Sequence, residues 1–572
     1  MAKSAIKKKW SVDPVKLEQI QFNNIVRTVF QQASFVRLPI NGKEFQFRGR
    51  TGELDDIFIY ENIIVLCEYT IGKASSVHLG KKKFLFDAIM GNCVEWVDFL
   101  QTLSVEFREH FDSKPYSGDD YRVRIVYCSK KGINEEIINV YPEILYIDYP
   151  QLKYFRALAK IIHRTSRFEL FKFLNLEHSE IGASVNSSAG SNSTYPGFLL
   201  PEGNSSFPPG YKIVSFYADP QTLLERSYVL RRDSWRDPEG LYQRLLIPGK
   251  IRKMRQYLDD VKRVFVNNII VTLPNETKIN NPDDETNLKS DELKKVRNVS
   301  IQIPNSFNVI GIIDGQHRIL CYHEGTDALD GKIEKLRNKQ NLLVTGIIYP
   351  KSLPQHEKIK FEARLFLEVN DTQTSANASL RQSIEVILRP KSTIAIAKSV
   401  IERLSRSGAL KDLLQVHQFD ESGKIKTSSI VSYGLRPLVK FDGSDSLFSI
   451  WDDERKGNLL LVNDEEPYQE VLNSYVEFCA KQINNLLLAA KMCWGINDWK
   501  LESENRLILS PTAINGFIVC LRLLISSGLT GSKEFYEEKL QGIADFPFDE
   551  YKSSHWKSLG ERIFDEYFAK NI

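Results

Sequence analysis

The stretch Asp314-Gly315-Gln316-His317-Arg318 places a carboxylate, an amide, an imidazole and a guanidinium together, with no apolar residue between them. It follows the apolar residues 309–313 and leads into the largely apolar residues 319–322. The unpaired N–H groups of a helix's first turn favour phosphate, and an arginine adds two parallel charge-assisted hydrogen bonds. A strand, a glycine turn and a helix start therefore predict a site for a phosphate-bearing ligand. The plainer alternative is an Asp-Gly turn that only caps the helix.

These five residues resemble the signature of the DGQHR-domain proteins, which are relatives of the ParB and sulfiredoxin nucleotide-binding fold and include regulators of DNA phosphorothioate modification. The resemblance covers residues 207–390 and implies an α/β domain that binds ATP, CTP or a nucleic-acid phosphate at this turn. Asn370 and Gln373 resemble the family's second motif, and Arg231 lies in a basic turn that could approach the same ligand. Side-chain amides either read a base or ribose or cap the next helix, and both readings stay open.

A second group of chemically capable residues lies near the N-terminus. Two apolar stretches, residues 52–60 and 62–70, are predicted to form strands joined by a tight turn at Glu61-Asn62. Asp55 alternates in phase with the apolar residues of its strand, and so does Glu68 with those of the next. Facing carboxylates on neighbouring strands form an oxygen-rich site that suits Mg²⁺.

This arrangement resembles the PD-(D/E)XK nucleases, in which an acid on one strand and a (D/E)xK motif on the next hold Mg²⁺ and activate water. The resemblance implies that Asp55 and Glu68 are metal ligands and catalytic residues. Thr70 stands where the family has its lysine. Lys73, Lys81, Lys82 and Lys83 lie close enough in sequence to replace it, and we take Lys73 and Lys81 as the catalytic candidates.

Three functions remain open on the sequence. The first is a Mg²⁺-dependent nuclease that acts on DNA, possesses a nucleotide- or DNA-binding DGQHR domain and serves in antiviral defence. The second is a regulator that binds nucleotide or DNA without cutting and has a degenerate nuclease domain. The third is an NTPase in which Asp314 and His317 supply a metal ligand and a general base. No His or Cys partner lies at ligand spacing from His317, which argues against zinc.

Composition bounds these functions. A net charge of +3 over 572 residues argues against indiscriminate coating of nucleic acid but allows local basic patches. Seven scattered cysteines are typical of thiols in a reducing compartment. No segment reaches the ~20 apolar residues of a membrane helix. We therefore expect a cytoplasmic protein without a membrane partner, and the sequence allows an oligomer.

The predicted fold class is an α/β multidomain protein. Residues 1–178 are expected to form a restriction-endonuclease-like α/β domain, with a helix over residues 84–107, and residues 179–206 a Ser/Asn/Gly-rich linker. Residues 207–390 are expected to form a ParB/sulfiredoxin-like DGQHR domain and residues 391–572 an α-helical domain. Helical periodicity is predicted at residues 382–387, 394–404, 471–493, 513–526, 535–540 and 555–569.

Overall fold

The chain has a mixed α/β architecture. The structure is a computed structural model that describes residues 13–38, 40, 44–74, 76–182, 193–229, 246–289, 291–371, 378–416, 423–461, 468–501 and 507–569. The chain divides into two compact units, one of residues 1–241 and 245–354 and the other of residues 242–244 and 355–572. In the described residues, both large sheets belong to the first unit, while the second unit is mainly helical.

A five-stranded sheet organises residues 13–182. Its order is β1-β4-β5-β6-β7, with antiparallel pairing of β1 with β4 and of β4 with β5. The pairs β5 with β6 and β6 with β7 are parallel. The elements are α1 (Pro14–Gln32), β1 (Val36–Leu38), β2 (Phe45–Phe47), β3 (Arg50–Gly52), β4 (Asp56–Tyr60), β5 (Ile63–Thr70), α2 (Ser76–Met90), α3 (Cys93–Leu103), α4 (Val105–Asp112), β6 (Arg122–Ser129), α5 (Glu135–Val140), β7 (Leu145–Asp148), α6 (Tyr149–Ile162) and α7 (Arg167–Phe173).

Helices cover both faces of this sheet, which explains why its central strands read as nearly continuous apolar runs. On one face, Ile57 and Leu66 share a core with residues of α2, α3 and α4. On the other face, Phe30 of α1 stacks on Phe58 at a centroid distance of 4.6 Å. The single helix predicted over residues 84–107 is wrong, because the chain breaks at Gly91 and Asn92 between α2 and α3.

An eight-stranded sheet organises residues 193–348. Its order is β10-β14-β11-β15-β9-β8-β13-β12. Strand β14, which leads into the Asp314 turn, lies between β10, a parallel neighbour, and β11, an antiparallel one. The elements are β8 (Ser193–Pro201), α8 (Glu202–Ser205), β9 (Lys212–Ala218), α9 (Pro220–Arg226), β10 (Ser227–Val229), α10 (Pro248–Val261), β11 (Ile269–Leu273), β12 (Lys278–Asn280), β13 (Arg297–Ile303), β14 (Ile310–Asp314), α11 (Gln316–Leu320), α12 (Asp330–Arg337) and β15 (Leu342–Ile348).

Part of the predicted linker is a strand. Residues 193–201 form β8, which pairs antiparallel with β9 on one side and with β13 on the other. Tyr195 and Leu199 are buried, whereas Phe198 between them is 61% exposed. The prediction of a flexible linker is wrong for these residues, because distant strands supply the pairing that their Ser, Asn and Gly content does not suggest. Residues 183–192 of that segment lie outside the described residues.

The second unit packs its helices around α18 (Tyr468–Trp494) and α19 (Pro511–Ser526). The boundary of this unit differs from the predicted one. Residues 355–390, which the sequence assigns to the DGQHR domain, belong to this unit. All six predicted helical segments are confirmed. The elements are α13 (Gln355–Asp371), α14 (Ala378–Leu388), α15 (Thr393–Arg406), β16 (Leu414–Gln415), β17 (Ile425–Lys426), α16 (Arg436–Leu438), α17 (Leu447–Ile450), α18 (Tyr468–Trp494), α19 (Pro511–Ser526), α20 (Lys533–Lys539) and α21 (Trp556–Tyr567).

In the part of the chain that the structure describes, no helix is both long enough and apolar enough to cross a bilayer.

Candidate functional site

The strands β4 and β5 bring Asp55 and Glu68 close together. Asp56, the first residue of β4, is paired with Cys67, and Asp55 precedes it at the end of the ladder, where its Oδ2 accepts a 2.7 Å hydrogen bond from the Tyr69 amide, next to Glu68. Ile57 and Leu66, two residues away on each strand, are also paired and lie in the core beneath α2 and α3. Glu68 lies in β5 two residues after Leu66, as its predicted phase requires, whereas Asp55 precedes β4 and its predicted phase stays a prediction.

A lysine completes this group from the neighbouring helix. Lys82 Nζ of α2 lies 2.6 Å from Glu68 Oε2 and 2.8 Å from the backbone oxygen of Glu53. Lys83 instead contacts Asp87 and Glu143, each at 3.1 Å. Of the four lysines that the sequence offered in place of Thr70, the one in contact with Glu68 is thus Lys82.

The two lysines favoured on sequence grounds occupy other positions. Lys73 and Lys81 are exposed, Lys81 on the first part of α2 and Lys73 on the segment that precedes it. Thr70 Oγ1 accepts a hydrogen bond of 3.1 Å from the Gly72 amide, so the hydroxyl stabilises the turn after β5. A contact of Lys73 or Lys81 with a bound substrate stays a prediction.

Burial makes the two carboxylates difficult to ionise together. Desolvation raises the pKa of Glu68 to about 8, even though the charge of Lys82 acts in the opposite direction, and the charge of Asp55 adds to the rise. Desolvation also raises the pKa of Asp55, whose Oδ2 accepts a 2.7 Å hydrogen bond from the Tyr69 amide. The side chain of Glu68 is only 2% exposed, and its Oε1 is a buried atom with no hydrogen-bond partner among the residues that the structure describes. The site therefore favours additional positive charge.

The two carboxylates of Asp55 and Glu68 suit Mg²⁺ better than a metal ion whose ligands all come from the protein. Mg²⁺ commonly binds through one or two carboxylates, keeps several waters and takes further oxygens from a phosphate. Asp55 and Glu68 supply two carboxylates, and the unpartnered Oε1 of Glu68 is an oxygen that an ion would satisfy. Among the described residues, no group of three or more His, Cys, Asp or Glu side chains is arranged to hold a metal. A two-carboxylate site for Mg²⁺ stays a prediction.

The neighbouring Asp56 has a different environment on the opposite face of the sheet. Its carboxylate is 0% exposed and forms ion pairs with Arg27, at 2.7 Å, and with Arg37. Two guanidinium groups already satisfy this charge, which indicates a structural role for Asp56.

Tyr127, next to Glu68, and His78, which contacts Tyr127, were missed in the sequence. Tyr127 of β6 is paired with Glu68 in the parallel ladder and is 1% exposed. Its hydroxyl lies 3.3 Å from His78 Nδ1, and His78 precedes Lys82 by one turn of α2. The spacing of His78 and Lys82 by four residues was the available signal, because side chains at i and i+4 share a helix face.

The second candidate site is the turn between β14 and α11, which has the predicted order of strand, glycine and helix. Gly315 has a φ of +99°, a left-handed conformation that favours glycine, and an added Cβ would lie 3.0 Å from Ile269 Cγ1. Helix α11 spans five residues, Gln316–Leu320. Its dipole is therefore smaller than the predicted anion site assumed, and the side chains must contribute most of any affinity for phosphate.

The charged residues of this turn are partly engaged with one another. Arg318 Nη2 donates to Asp314 Oδ2 at 2.7 Å and to the Asn268 backbone oxygen at 2.9 Å. Ile247 donates its amide to His317 Nε2 at 3.3 Å. Two buried atoms, Gln316 Oε1 and Arg318 Nε, have no hydrogen-bond partner within the described part of the chain. The turn thus combines a preformed ion pair with polar atoms that a ligand or ordered water would satisfy.

The remaining predicted ligand residues are Asn370, Arg231 and Gln373. Asn370 lies on α13 in the second compact unit, and its Nδ2 donates to the Phe366 backbone oxygen at 2.9 Å, one turn earlier in the same helix. Arg231 and Gln373 lie outside the described residues. Their predicted contacts with a ligand stay predictions.

Comparisons with family models, curated proteins and solved structures found no match to this chain.

Proposed function

We propose that this chain is a Mg²⁺-dependent nuclease acting on DNA, with its reaction centre at Asp55, Glu68 and Lys82 in a restriction-endonuclease-like domain. The observation that carries the proposal is the contact of Lys82 with the buried Glu68, together with Asp55, whose carboxylate is bonded to the neighbouring Tyr69 amide and whose charge acts on Glu68. The resemblance to PD-(D/E)XK nucleases supports the same assignment, with the lysine moved from the strand to α2.

Each of the three residues has a distinct role in the proposal. Asp55 and Glu68 hold the ion, and the Tyr69 amide fixes the Asp55 carboxylate. The ion, when bound, lowers the pKa of its water and stabilises charge on the phosphoryl group. Lys82 fixes Glu68 and places a positive charge where negative charge accumulates in the transition state. The exposed Lys81 contacts the DNA backbone by charge.

The turn Asp314–Arg318 is proposed as the binding site of a regulatory phosphate, carried by ATP, CTP or DNA, in a ParB/sulfiredoxin-like domain. The unpartnered Gln316 Oε1 and Arg318 Nε support a ligand there, because buried polar atoms rarely stay unsatisfied. Two phosphate-handling sites on one chain suit defence against foreign DNA in the cytoplasm, a setting proposed by analogy of architecture.

The experiment that tests the nuclease compares four full-length variants on supercoiled plasmid with Mg²⁺, each with and without ATP or CTP. Asp55→Asn, Glu68→Gln and Lys82→Ala are expected to lose cleavage by about 10²-fold or more, the scale of losing one electrostatic stabiliser. Lys83→Ala is the matched control, because Lys83 is adjacent on α2 and contacts Asp87 and Glu143 instead. Circular dichroism confirms that each variant is folded.

A specific observation also favours a second candidate, a regulator that binds without cutting. Lys82 occupies Glu68 Oε2 at 2.6 Å, so one oxygen of a proposed metal ligand is already engaged. Wild-type protein that binds DNA or nucleotide but never cuts would replace the nuclease with this regulator. Release of inorganic phosphate from ATP or CTP, abolished by Asp314→Asn or His317→Gln, would instead favour the NTPase.

A further inference from the structure

His78 stands beside the proposed reaction centre, held by a contact that links it to the strand next to Glu68. Its Nδ1 lies 3.3 Å from the hydroxyl of Tyr127, and the two rings are 6.0 Å apart between centroids. Tyr127 is paired with Glu68 in the ladder between β5 and β6. Tyr127 is buried, whereas His78 is exposed, so the imidazole lies at the solvent edge of the group.

The helix and the strand fix His78 from two directions. His78 and Lys82 are four residues apart on α2, so they share a face of the helix, and Lys82 on that face reaches Glu68. Tyr127 has Val123 and Ile125 as its in-phase neighbours in the core beneath α2. The position of the Tyr127 hydroxyl is therefore set by packing, and through it the position of the imidazole.

Hydrolysis of a phosphodiester needs a group that accepts the proton of the attacking water. An ammonium offers only donors, and that of Lys82 already donates to Glu68 and to the Glu53 backbone oxygen. Asp55 and Glu68 are assigned to the ion. A neutral imidazole is the side chain most often used as a general base. Within this group of residues, His78 is the one with that chemistry.

We propose that His78 is the general base of this centre, in the tautomer whose Nδ1–H donates to the Tyr127 hydroxyl oxygen and whose Nε2 accepts the proton of the attacking water. The inference rests on the proposed nuclease function and deepens it. The water oxygen forms a bond to phosphorus, its proton passes to Nε2, and the bond from phosphorus to the leaving ribose oxygen breaks. The leaving oxygen takes a proton from solvent, and the imidazolium returns its proton to solvent before the next turnover.

The charged and titratable groups around His78 favour the neutral imidazole that this role requires. Desolvation lowers the pKa of His78, and the charges of Lys82 and Lys81 on its own helix lower it further. Glu53, from the segment before β4, acts in the opposite direction. Tyr127 faces the ring from β6 and is neutral at physiological pH, because burial raises its pKa to about 12.

The test measures plasmid cleavage by the full chain with Mg²⁺ across pH 5–9, for the wild type, His78→Ala, Tyr127→Phe and Val77→Ala. We expect His78→Ala to lower kcat by about 10²–10⁴-fold, the usual contribution of a general base. Loss of the acidic limb of the pH profile and partial restoration by added imidazole are expected as well, since position 78 is open to solvent. Val77→Ala, at an exposed position one residue away, is expected to retain wild-type cleavage.

The outcomes separate this inference from the nuclease proposal. If the wild type cuts and His78→Ala cuts at the same rate with the same pH profile, the general base is overturned and the nuclease stands. If His78→Ala is slow but imidazole restores nothing and the acidic limb persists, His78 has only a structural role and the inference is again overturned. If the wild type does not cut, the nuclease proposal itself fails.

Discussion

Arg167 and Glu324 form a two-pronged ion pair that joins the five-stranded and eight-stranded parts of the first unit. Arg167 Nη1 lies 2.8 Å from Glu324 Oε2, and Nη2 lies 2.6 Å from Oε1. Arg167 begins α7, whereas Glu324 follows α11 and so comes shortly after the Asp314–Arg318 turn. The Glu324 amide also donates to Thr165 Oγ1 at 2.8 Å. The segment after the turn is thus fixed to the domain that contains the proposed reaction centre.

Removing one partner of this pair is expected to destabilise the first unit strongly. The side chains are only 12% and 18% exposed, so Arg167→Ala leaves a largely buried carboxylate without its partner. The expected loss in the free energy of unfolding is about 3–5 kcal/mol, measured by urea denaturation. The double variant Arg167→Met, Glu324→Leu is expected to lose less, because it buries no unpaired charge. Equal losses in the single and double variants would contradict this account.

The contribution of the Arg167–Glu324 pair to the stability of the first unit is expected to decrease in acid. Burial alone would raise the pKa of Glu324, but the hydrogen bonds and charge of Arg167 hold it below the ordinary 4.5. A depressed folded-state pKa means that the contribution to stability is complete above pH 4.5 and is lost as the pH falls through the lower, folded-state value. Unfolding of the wild type and of Glu324→Gln should therefore converge in acid. Curves that stay parallel down to pH 2.5 would contradict the prediction.

The contribution of Glu68 to the free energy of unfolding is expected to have the opposite dependence on pH. Its pKa is raised from 4.5 to about 8, so the folded state holds a proton that the unfolded state has released, and stability falls as the pH rises between those values. The slope from one such group reaches about 1.4 kcal/mol per pH unit. Glu68→Gln cannot ionise and should lose less stability between pH 5 and pH 8, as measured by urea denaturation. A fall in the variant as steep as that of the wild type would reject this cause.

The Arg318 guanidinium is expected to contribute strongly to the affinity of the turn for phosphate-bearing ligands. Arg318→Ala is expected to weaken the binding of ATP, CTP or a short duplex by about 10-fold or more, the scale of a hydrogen bond to a charged group. Arg318→Lys should not restore it, because an ammonium lacks the planar fork. Gln316→Ala should change the ratio of affinities among the ligands, since its amide reads donors and acceptors. Isothermal titration calorimetry measures each affinity.

A matched control for the turn comes from another strand of the same sheet. Arg297 of β13 is paired with Glu292 at 2.8 Å, so Arg297→Ala removes a paired arginine outside the Asp314–Arg318 turn. It should leave the affinities of all three ligands at wild-type values. Unchanged binding of every ligand by Arg318→Ala would remove the proposed role of the turn.

The features that were predictable from the sequence are those set by local periodicity. The apolar period of two residues placed Glu68 in phase with Leu66, and both residues lie in β5. A period of 3.6 residues in the apolar positions predicted the helices of the second unit, including α18. Such patterns are readable because each is set by which residues within one element must be buried.

The features that could not be predicted depend on partners distant in sequence. Four lysines were close to Glu68 in sequence, and only the phase of α2 against the sheet places Lys82 in contact with it. The pairing of Asp314 with Arg318 reduced what the turn offers a ligand, a competition that the spacing of residue types does not show. The break between α2 and α3 and the strand β8 were missed for the same reason, because tertiary packing outweighs local composition.

Gly197 in β8 tests whether residues 193–201 are an integral strand. An added Cβ would lie 2.5 Å from the Ser215 backbone oxygen and 2.7 Å from Ile301 Cδ1, so Gly197→Ala forces paired strands apart. Such overpacking costs about 1–3 kcal/mol, which exceeds the ~0.4–1 kcal/mol gained when alanine restricts the unfolded chain. Gly203→Ala in α8 is the control, since its Cβ would meet nothing within 4 Å. We expect urea denaturation to show a loss for Gly197→Ala and no loss for Gly203→Ala, whereas a flexible linker at residue 197 would make the two variants alike.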